Sequence, residues 1–136
     1  MNNLAVKPTA LRQTKYCRSL EAILVLKGHA TNAQLLDEVR TVDPSVSATT
    51  VHRATARLAR RGIITTAPVA HDGSMQYDAN VAPHDHFQCS SCGMLRDTDI
   101  ADKVSSILES SIGGCKITGP LTINGRCRSC METKQL

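Results

Sequence analysis

The chain has 136 residues, 41% of them hydrophobic, which suits one ordinary domain or two small ones. No apolar run approaches the roughly 20 residues of a membrane span, and residues 1–11 lack the apolar segment of a signal peptide, so we expect a cytoplasmic protein. The net charge of +4 lies in residues 1–80, and the three aromatic residues are too few to grip single-stranded nucleic acid by stacking.

The first half of the chain predicts three helices. After an irregular arm over residues 1–10, apolar residues at helical spacing indicate helices over residues 11–26, 32–42 and 48–61. Gly28 ends the first helix, and Thr31 and Ser47 are suitable N-caps for the second and the third. Two helices, a turn and a third helix are typical of a helix-turn-helix.

The third helix has the composition of a helix that reads double-stranded DNA. Its predicted buried stripe contains Val51, Ala54 or Thr55, and Leu58, and its other faces carry hydroxyls and arginines without an acid. Such a surface is often only a solvated face, but within a helix-turn-helix it favours DNA binding. The candidate DNA-binding residues are Ser47, Thr49, Thr50, His52, Arg53 and Arg57.

A β-hairpin is predicted directly after this helix. Residues 63–70 and 75–78 are its strands, and an Asp-Gly turn joins them. A hairpin in this position is the wing of a winged helix, so residues 1–79 predict a winged-helix DNA-binding domain. Residues 80–83, small and proline-containing, predict a hinge.

Residues 84–136 predict a small α/β domain. The expected strands cover residues 84–89, 94–97, 116–117 and 121–124, and an amphipathic helix over residues 100–112 begins at Asp99 as a possible N-cap. Because large apolar residues are few, we expect a metal ion and a partner chain to stabilise this dimerisation domain. The fold class is therefore α+β.

Two Cys-x-x-Cys pairs in this domain indicate a zinc site. Cys89, Cys92, Cys127 and Cys130 supply four sulfurs, and closed sites with four cysteines are structural zinc sites. Two disulfides or a thiol redox pair are the alternatives, but a reducing compartment favours zinc. Cys17 and Cys115 are expected to be small thiols without a ligand.

Histidines indicate a second metal site. His84 and His86 point to one face of an extended strand, because side chains alternate along it. Candidate partners are Asp97 on the following strand, Asp78 before the hinge, and His29 between the first two helices.

The chain resembles the ferric uptake regulator family of metal-dependent bacterial repressors along nearly its whole length. The matching stretches are residues 11–14, 28–31, 47–53 with His52 where a tyrosine is usual, His84-x-His86-x-x-Cys89-x-x-Cys92-Gly93, and Cys127-x-x-Cys130. The resemblance implies a homodimer that binds an operator of two inverted half-sites and a structural Zn²⁺ on the four cysteines. It assigns the regulatory metal to His29, Asp78, His84, His86 and Asp97.

The regulatory ligands differ between branches of the family. Aspartate at both Asp78 and Asp97 resembles the peroxide-stress branch, in which bound iron oxidises a ligating histidine. A third metal site of some members uses a histidine near residues 118–121, where this sequence has none. Imidazoles and carboxylates without sulfur suit Fe²⁺ or Mn²⁺, and Zn²⁺ is also suitable.

Ligands from both domains suggest a mechanism. One metal ion holding all five would fix the angle between the domains and set the spacing of two recognition helices in a dimer. Zinc- or iron-uptake regulation without peroxide sensing is the nearest alternative. Rivals of other classes are a metal-activated hydrolase and a thiol redox switch, but no acid or base beyond the ligands suggests an enzyme.

Overall fold

The computed structural model describes the backbone of residues 8–133 and the side chains of residues 15–132. The helices are α1 (Pro8–Lys27), α2 (Asn32–Val39), α3 (Ala48–Arg60), α4 (Ile100–Ser111) and α5 (Arg128–Thr133). The strands are β1 (His29–Thr31), β2 (Thr65–Ala67), β3 (Gln76–Asp78), β4 (Asp85–Cys89), β5 (Leu95–Thr98) and β6 (Thr122–Gly125). Helices and strands thus combine as the sequence predicts, and no helix in the described part is long and apolar enough to cross a membrane.

The described chain divides into two compact units. The first contains the chain up to Ala67 together with Ser74–Val81, and the second contains Pro68–Gly73 and the chain from Ala82 onward. Helices α1, α2 and α3 pack together in the first unit around an apolar core. Its most deeply buried side chains include Leu20, Leu24, Leu35, Val51, Thr55 and Ile64.

The first unit also contains a three-stranded antiparallel sheet. Strand β3 lies between β1 and β2, so the predicted hairpin is present and gains a third strand. His29, expected in a turn, pairs with Asp78 on β3. Three residues are too few to show the alternation of a strand, which explains why β1 was not predicted.

The second unit is built on a sheet with the strand order β5-β4-β6. Strand β4 pairs antiparallel with β5, where His86 lies opposite Asp97, and parallel with β6. Among its described residues the buried side chains are only Asp85, His86, Gln88, Cys89 and Cys127. This unit therefore has no apolar core of its own, in agreement with the expected need for a metal ion.

Several predicted boundaries were wrong. Helix α1 already begins at Pro8, within the expected arm, whose residues 1–7 lie outside the described part. Helix α2 ends at Val39 and turns follow it, and residues 116–117 form no strand. Cys130 lies on α5, a helix that the knuckle pattern did not indicate.

The N-terminus of α4 is also capped differently from the prediction. Asp99 makes no side-chain capping bond, because its backbone lies outside the extended region typical of an N-cap. The Asp85 carboxylate instead accepts the Ala101 N–H at 2.9 Å. A residue distant in sequence thus satisfies a donor of the first turn.

The capping box of α2 gives a first prediction. Thr31 Oγ1 accepts the Gln34 N–H, and Gln34 Oε1 accepts the Thr31 N–H at 2.9 Å. We expect Thr31→Ala to lower the free energy of unfolding by about 1 kcal/mol, because one helix donor loses its acceptor. Urea unfolding measures the change, and Thr31→Ser, which keeps the hydroxyl, is the control. Equal losses in the two variants would show that the hydroxyl does not cap α2.

Candidate metal centres and DNA-facing helix

The four predicted zinc ligands lie together in the second unit. The sulfur atoms of Cys89 and Cys130 are 3.7 Å apart, and those of Cys92 and Cys127 are 3.8 Å apart. Four sulfurs about 2.3 Å from a tetrahedral zinc ion lie roughly 3.8 Å from one another. All four are free thiols rather than disulfides, so their arrangement fits a zinc ion.

Backbone N–H groups stabilise the thiolate form of Cys89, the form that binds a metal ion. The N–H groups of Cys127 and Cys92 donate to Cys89 Sγ, and together they lower the pKa of Cys89 to about 5. Hydrogen bonds with the sulfurs of Cys127 and Cys92 raise the pKa of Cys130 to about 12. A divalent cation would supply the positive charge that allows the remaining thiols to ionise as well.

The first Cys-x-x-Cys turn requires its glycine. Gly93 has a φ of 82°, in the left-handed region, and its N–H donates to the Cys89 carbonyl at 2.9 Å. A Cβ atom there would lie 2.5 Å from the His71 ring. The ring of His71 therefore covers the turn that holds two of the four sulfurs.

Three nitrogen and oxygen ligands lie together at the β4–β5 pair. His84 Nε2 and His86 Nε2 each lie 3.4 Å from Asp97 Oδ1, and the two imidazole centroids are 4.4 Å apart. Ligand atoms about 2.1 Å from one metal ion are roughly 3.0 to 3.4 Å apart in octahedral or tetrahedral geometry. The three side chains are therefore spaced as ligands of a single ion.

Second contacts orient these ligands. His84 Nδ1 lies 2.7 Å from the Ala82 carbonyl, an acceptor, which places a proton on Nδ1 and leaves Nε2 as a lone-pair donor for a metal. Asp85, between the two histidines, accepts N–H groups of Leu121 and Ala101, which lower the pKa of its carboxyl. These bonds anchor β4 and hence both imidazoles.

Asp85 was missed as a positioning residue in the sequence. The only local signal is an acid between two histidines, and its N–H partners lie 16 and 36 residues away along the chain. Such distant partners leave no periodic pattern to read.

The other two predicted regulatory ligands pair in the first unit. His29 Nε2 lies 3.2 Å from Asp78 Oδ2, and Asp78 is 2% exposed. The Asn80 N–H donates to Asp78 Oδ1 at 2.8 Å, which fixes the carboxylate. An imidazole and an oriented carboxylate at this distance are also spaced as ligands of one ion.

Helix α3 presents one polar and basic face. Its buried residues are Val51, Ala54, Thr55 and Leu58, so the predicted stripe is present and includes both Ala54 and Thr55. A shallow cavity of about 590 Å³ runs along the opposite side and is lined by Ala48, Thr49, His52, Arg53, Ala56, Arg57 and Arg60. Ser47 and Thr50, two predicted DNA contacts, also form the N-cap, where Ser47 Oγ accepts the Thr50 N–H. A hydroxyl that caps the helix can still contact a DNA phosphate.

Comparison with known proteins identifies the family. A family model described as the ferric uptake regulator family matches residues 8–117. No curated protein sequence matches the chain.

Solved structures share the fold at low sequence identity. The peroxide stress regulator of Campylobacter jejuni is 24% identical with a TM-score of 0.68, covering 91% of this chain and 95% of its own. The ferric uptake regulator of Francisella tularensis with iron is 20% identical with a TM-score of 0.66, covering 96% and 98%. A zinc uptake regulator complexed with zinc and DNA is 20% identical with a TM-score of 0.53, covering 99% and 89%.

Proposed function

The chain belongs to the ferric uptake regulator family, and we propose that it is a repressor whose homodimer is held in its DNA-binding shape by a regulatory metal ion. Family members are metal-dependent transcription regulators that bind DNA, not enzymes, which removes the hydrolase alternative. The proposed regulatory ligands are His29, Asp78, His84, His86 and Asp97. The proposed cytoplasmic location follows from this role.

The observation that carries the proposal is the ligand spacing at β4 and β5. Asp97 lies 3.4 Å from each of two imidazole nitrogens, and one of them is oriented by a backbone carbonyl. None of these three side chains belongs to the four-cysteine centre, so they form a separate group of ligands without sulfur. Such a set binds Fe²⁺, Mn²⁺ or Zn²⁺, and cellular metal levels decide between them.

We propose that His29 and Asp78 complete this set. They belong to the winged-helix domain, residues 1–79, and the three other ligands belong to the dimerisation domain, residues 84–136, with a hinge at residues 80–83. One ion that takes ligands from both domains stabilises one arrangement of the hinge. In a dimer, that arrangement fixes the distance between two copies of α3, and so the affinity for paired half-sites.

The exposed apolar residues of α4 support a homodimer. No residue of α4 is buried, and Ile107 is 68% exposed, although the helix is amphipathic in sequence. Together with the sparse core of the second unit, this surface is suited to a second copy of the chain.

Arginines on the exposed face of α3 give the test of DNA binding. We expect Arg53→Ala and Arg57→Ala to weaken binding to a duplex recovered by selection, while the zinc content and melting temperature stay unchanged. If an arginine contacts a phosphate, the slope of log affinity against log salt should fall by about 1. Arg18→Ala, which removes an exposed arginine of α1, is the charge-matched control. If all three variants bind DNA like the parent chain, α3 is not the DNA-binding helix.

We further propose that the regulatory site senses peroxide when it holds iron. Its proposed ligands include two short carboxylates and no sulfur, and bound iron supplies redox chemistry at the imidazoles. The net reaction transfers one oxygen atom from hydrogen peroxide into an imidazole C–H bond, and water is the co-product. The modified imidazole is a poorer ligand, so the hinge is released and the protein leaves DNA.

Mass spectrometry after peroxide treatment tests this step. We expect a peptide containing His29 or His84 to gain one oxygen atom in the iron-loaded protein, and no gain in the manganese-loaded protein. Reversible zinc loss with unmodified histidines would instead indicate a thiol redox switch. If peroxide changes neither the mass nor the DNA affinity of the iron-loaded protein, the site responds to metal but does not sense peroxide.

A further inference from the structure

A side-chain hydrogen-bond network joins α2 to the exposed face of α3. Asn32, the first residue of α2, has its Oδ1 atom 2.9 Å from the hydroxyl of Thr55, which is fully buried on α3. The amide nitrogen of the same Asn32 lies 3.2 Å from Nδ1 of His52. One amide group therefore connects a buried hydroxyl to an exposed imidazole.

The orientation of the Asn32 amide, with Oδ1 at Thr55 and Nδ2 at His52, sets the direction of these bonds. Besides Asn32 Oδ1, Thr55 Oγ1 lies 3.1 Å from the Val51 carbonyl and 3.2 Å from the His52 carbonyl. Asn32 Oδ1 is the nearest of three acceptors, and the hydroxyl has one proton to donate. With its oxygen facing Thr55, the amide directs its NH₂ group to His52.

This direction determines which nitrogen of His52 carries the proton. Nδ1 faces an N–H donor and must accept with its lone pair, so the neutral ring carries its proton on Nε2. His52 is exposed and lines the same cavity as Thr49 and Arg53. The group that the ring offers to a ligand of this face is therefore an Nε2–H donor.

We propose that His52 reads a hydrogen-bond acceptor on a base edge in the major groove, and that Asn32 is the positioning residue that makes it a donor. The acceptors in that groove are the purine N7 atom, guanine O6 and thymine O4. Adenine N6 and cytosine N4 are donors, and a fixed Nε2–H disfavours them. This inference rests on the proposed function, because it requires α3 to lie in the groove.

Selection from a random duplex library tests the assignment. The zinc-containing dimer with Mn²⁺ is compared with His52→Phe, Asn32→Ala and the control Asp37→Ala, which changes an exposed residue of α2 outside the cavity. We expect the wild-type chain to enrich guanine or thymine at one position per half-site. His52→Phe should lose about 5-fold of that preference, the low end for a base contact, because one N–H makes a single bond. Asn32→Ala should reduce the preference at the same position alone, whereas Asp37→Ala should leave it intact.

A second variant reports on the proton itself. Asn32→Asp places a carboxylate oxygen against His52 Nδ1, which moves the proton of the neutral ring to Nδ1. Long-range nitrogen–proton NMR spectra of the neutral ring should show the Nε2–H tautomer in the wild-type protein and the Nδ1–H tautomer in Asn32→Asp. The base preference should then change towards adenine N6 or cytosine N4.

The outcomes separate this inference from the proposed function. If the wild-type protein enriches no sequence, the proposal that this chain recognises specific DNA is wrong. If it enriches a sequence that His52→Phe enriches equally, His52 reads no base. An Nδ1–H tautomer in the wild-type protein would overturn the role of Asn32.

Discussion

Cys89→Ser is expected to release the zinc ion, unfold the second unit and abolish the dimer. Among the described residues of that unit, no apolar side chain other than cysteine is buried, so burial alone contributes little stability. Structural zinc sites contribute about 10 to 16 kcal/mol of apparent binding free energy, which is also folding free energy. Loss of one ligand from a closed tetrahedral site therefore removes the main stabilising interaction.

Three measurements follow this change. Zinc content, mass in solution by light scattering, and thermal unfolding by circular dichroism should all change in Cys89→Ser. Cys115→Ser is the matched control, because Cys115 is exposed and lies outside the four-sulfur set. If Cys89→Ser remains a zinc-free dimer with the wild-type melting temperature, the four-cysteine centre does not stabilise this unit.

Asp97→Ala is expected to abolish the stimulation of DNA binding by the regulatory metal. Its Oδ1 atom lies 3.4 Å from the Nε2 atoms of both His84 and His86, a spacing typical of two ligands of one metal ion. Its removal therefore takes away the proposed oxygen ligand next to both imidazoles. Allosteric coupling of typical size changes affinity by about 5- to 150-fold, and we expect this ratio to fall to about one. The zinc ion on the four cysteines should stay bound.

Fluorescence anisotropy with and without added Mn²⁺ measures that ratio. Asp99→Ala is the control, because Asp99 is two residues away and forms an exposed ion pair with Lys103. Exposed pairs contribute little, so Asp99→Ala should keep both the fold and the metal response. Metal stimulation of normal size in Asp97→Ala would remove Asp97 from the regulatory site.

Local chemistry explains which features the sequence predicted. Thr31 and Ser47 cap their helices as expected, because a hydroxyl before a helical pattern needs no distant partner. The two Cys-x-x-Cys pairs were equally clear, because zinc coordination imposes a short spacing within each pair. Asp97 was predicted as a partner of His86 because a short turn brings the next strand back beside β4, where the two residues lie opposite each other.

Distant contacts explain what the sequence did not predict. Strand β1 depends on pairing with β3, which lies more than 40 residues later in the chain. Asp85 anchors β4 through N–H groups of α4 and of the segment before β6. The link from Asn32 to His52 joins two helices across a turn, and neither residue alone indicates it. Periodicity and spacing cannot report such contacts.

The central claim is that the regulatory metal and operator DNA stabilise the same conformation, and reciprocal linkage tests it most directly. Mn²⁺ is titrated into the zinc-containing protein with and without a selected duplex, and the duplex is titrated with and without Mn²⁺. We expect DNA to raise the affinity for Mn²⁺ by the same factor, about 5- to 150-fold, by which Mn²⁺ raises the affinity for DNA. Equal affinity for Mn²⁺ in the presence and absence of DNA would contradict the claim.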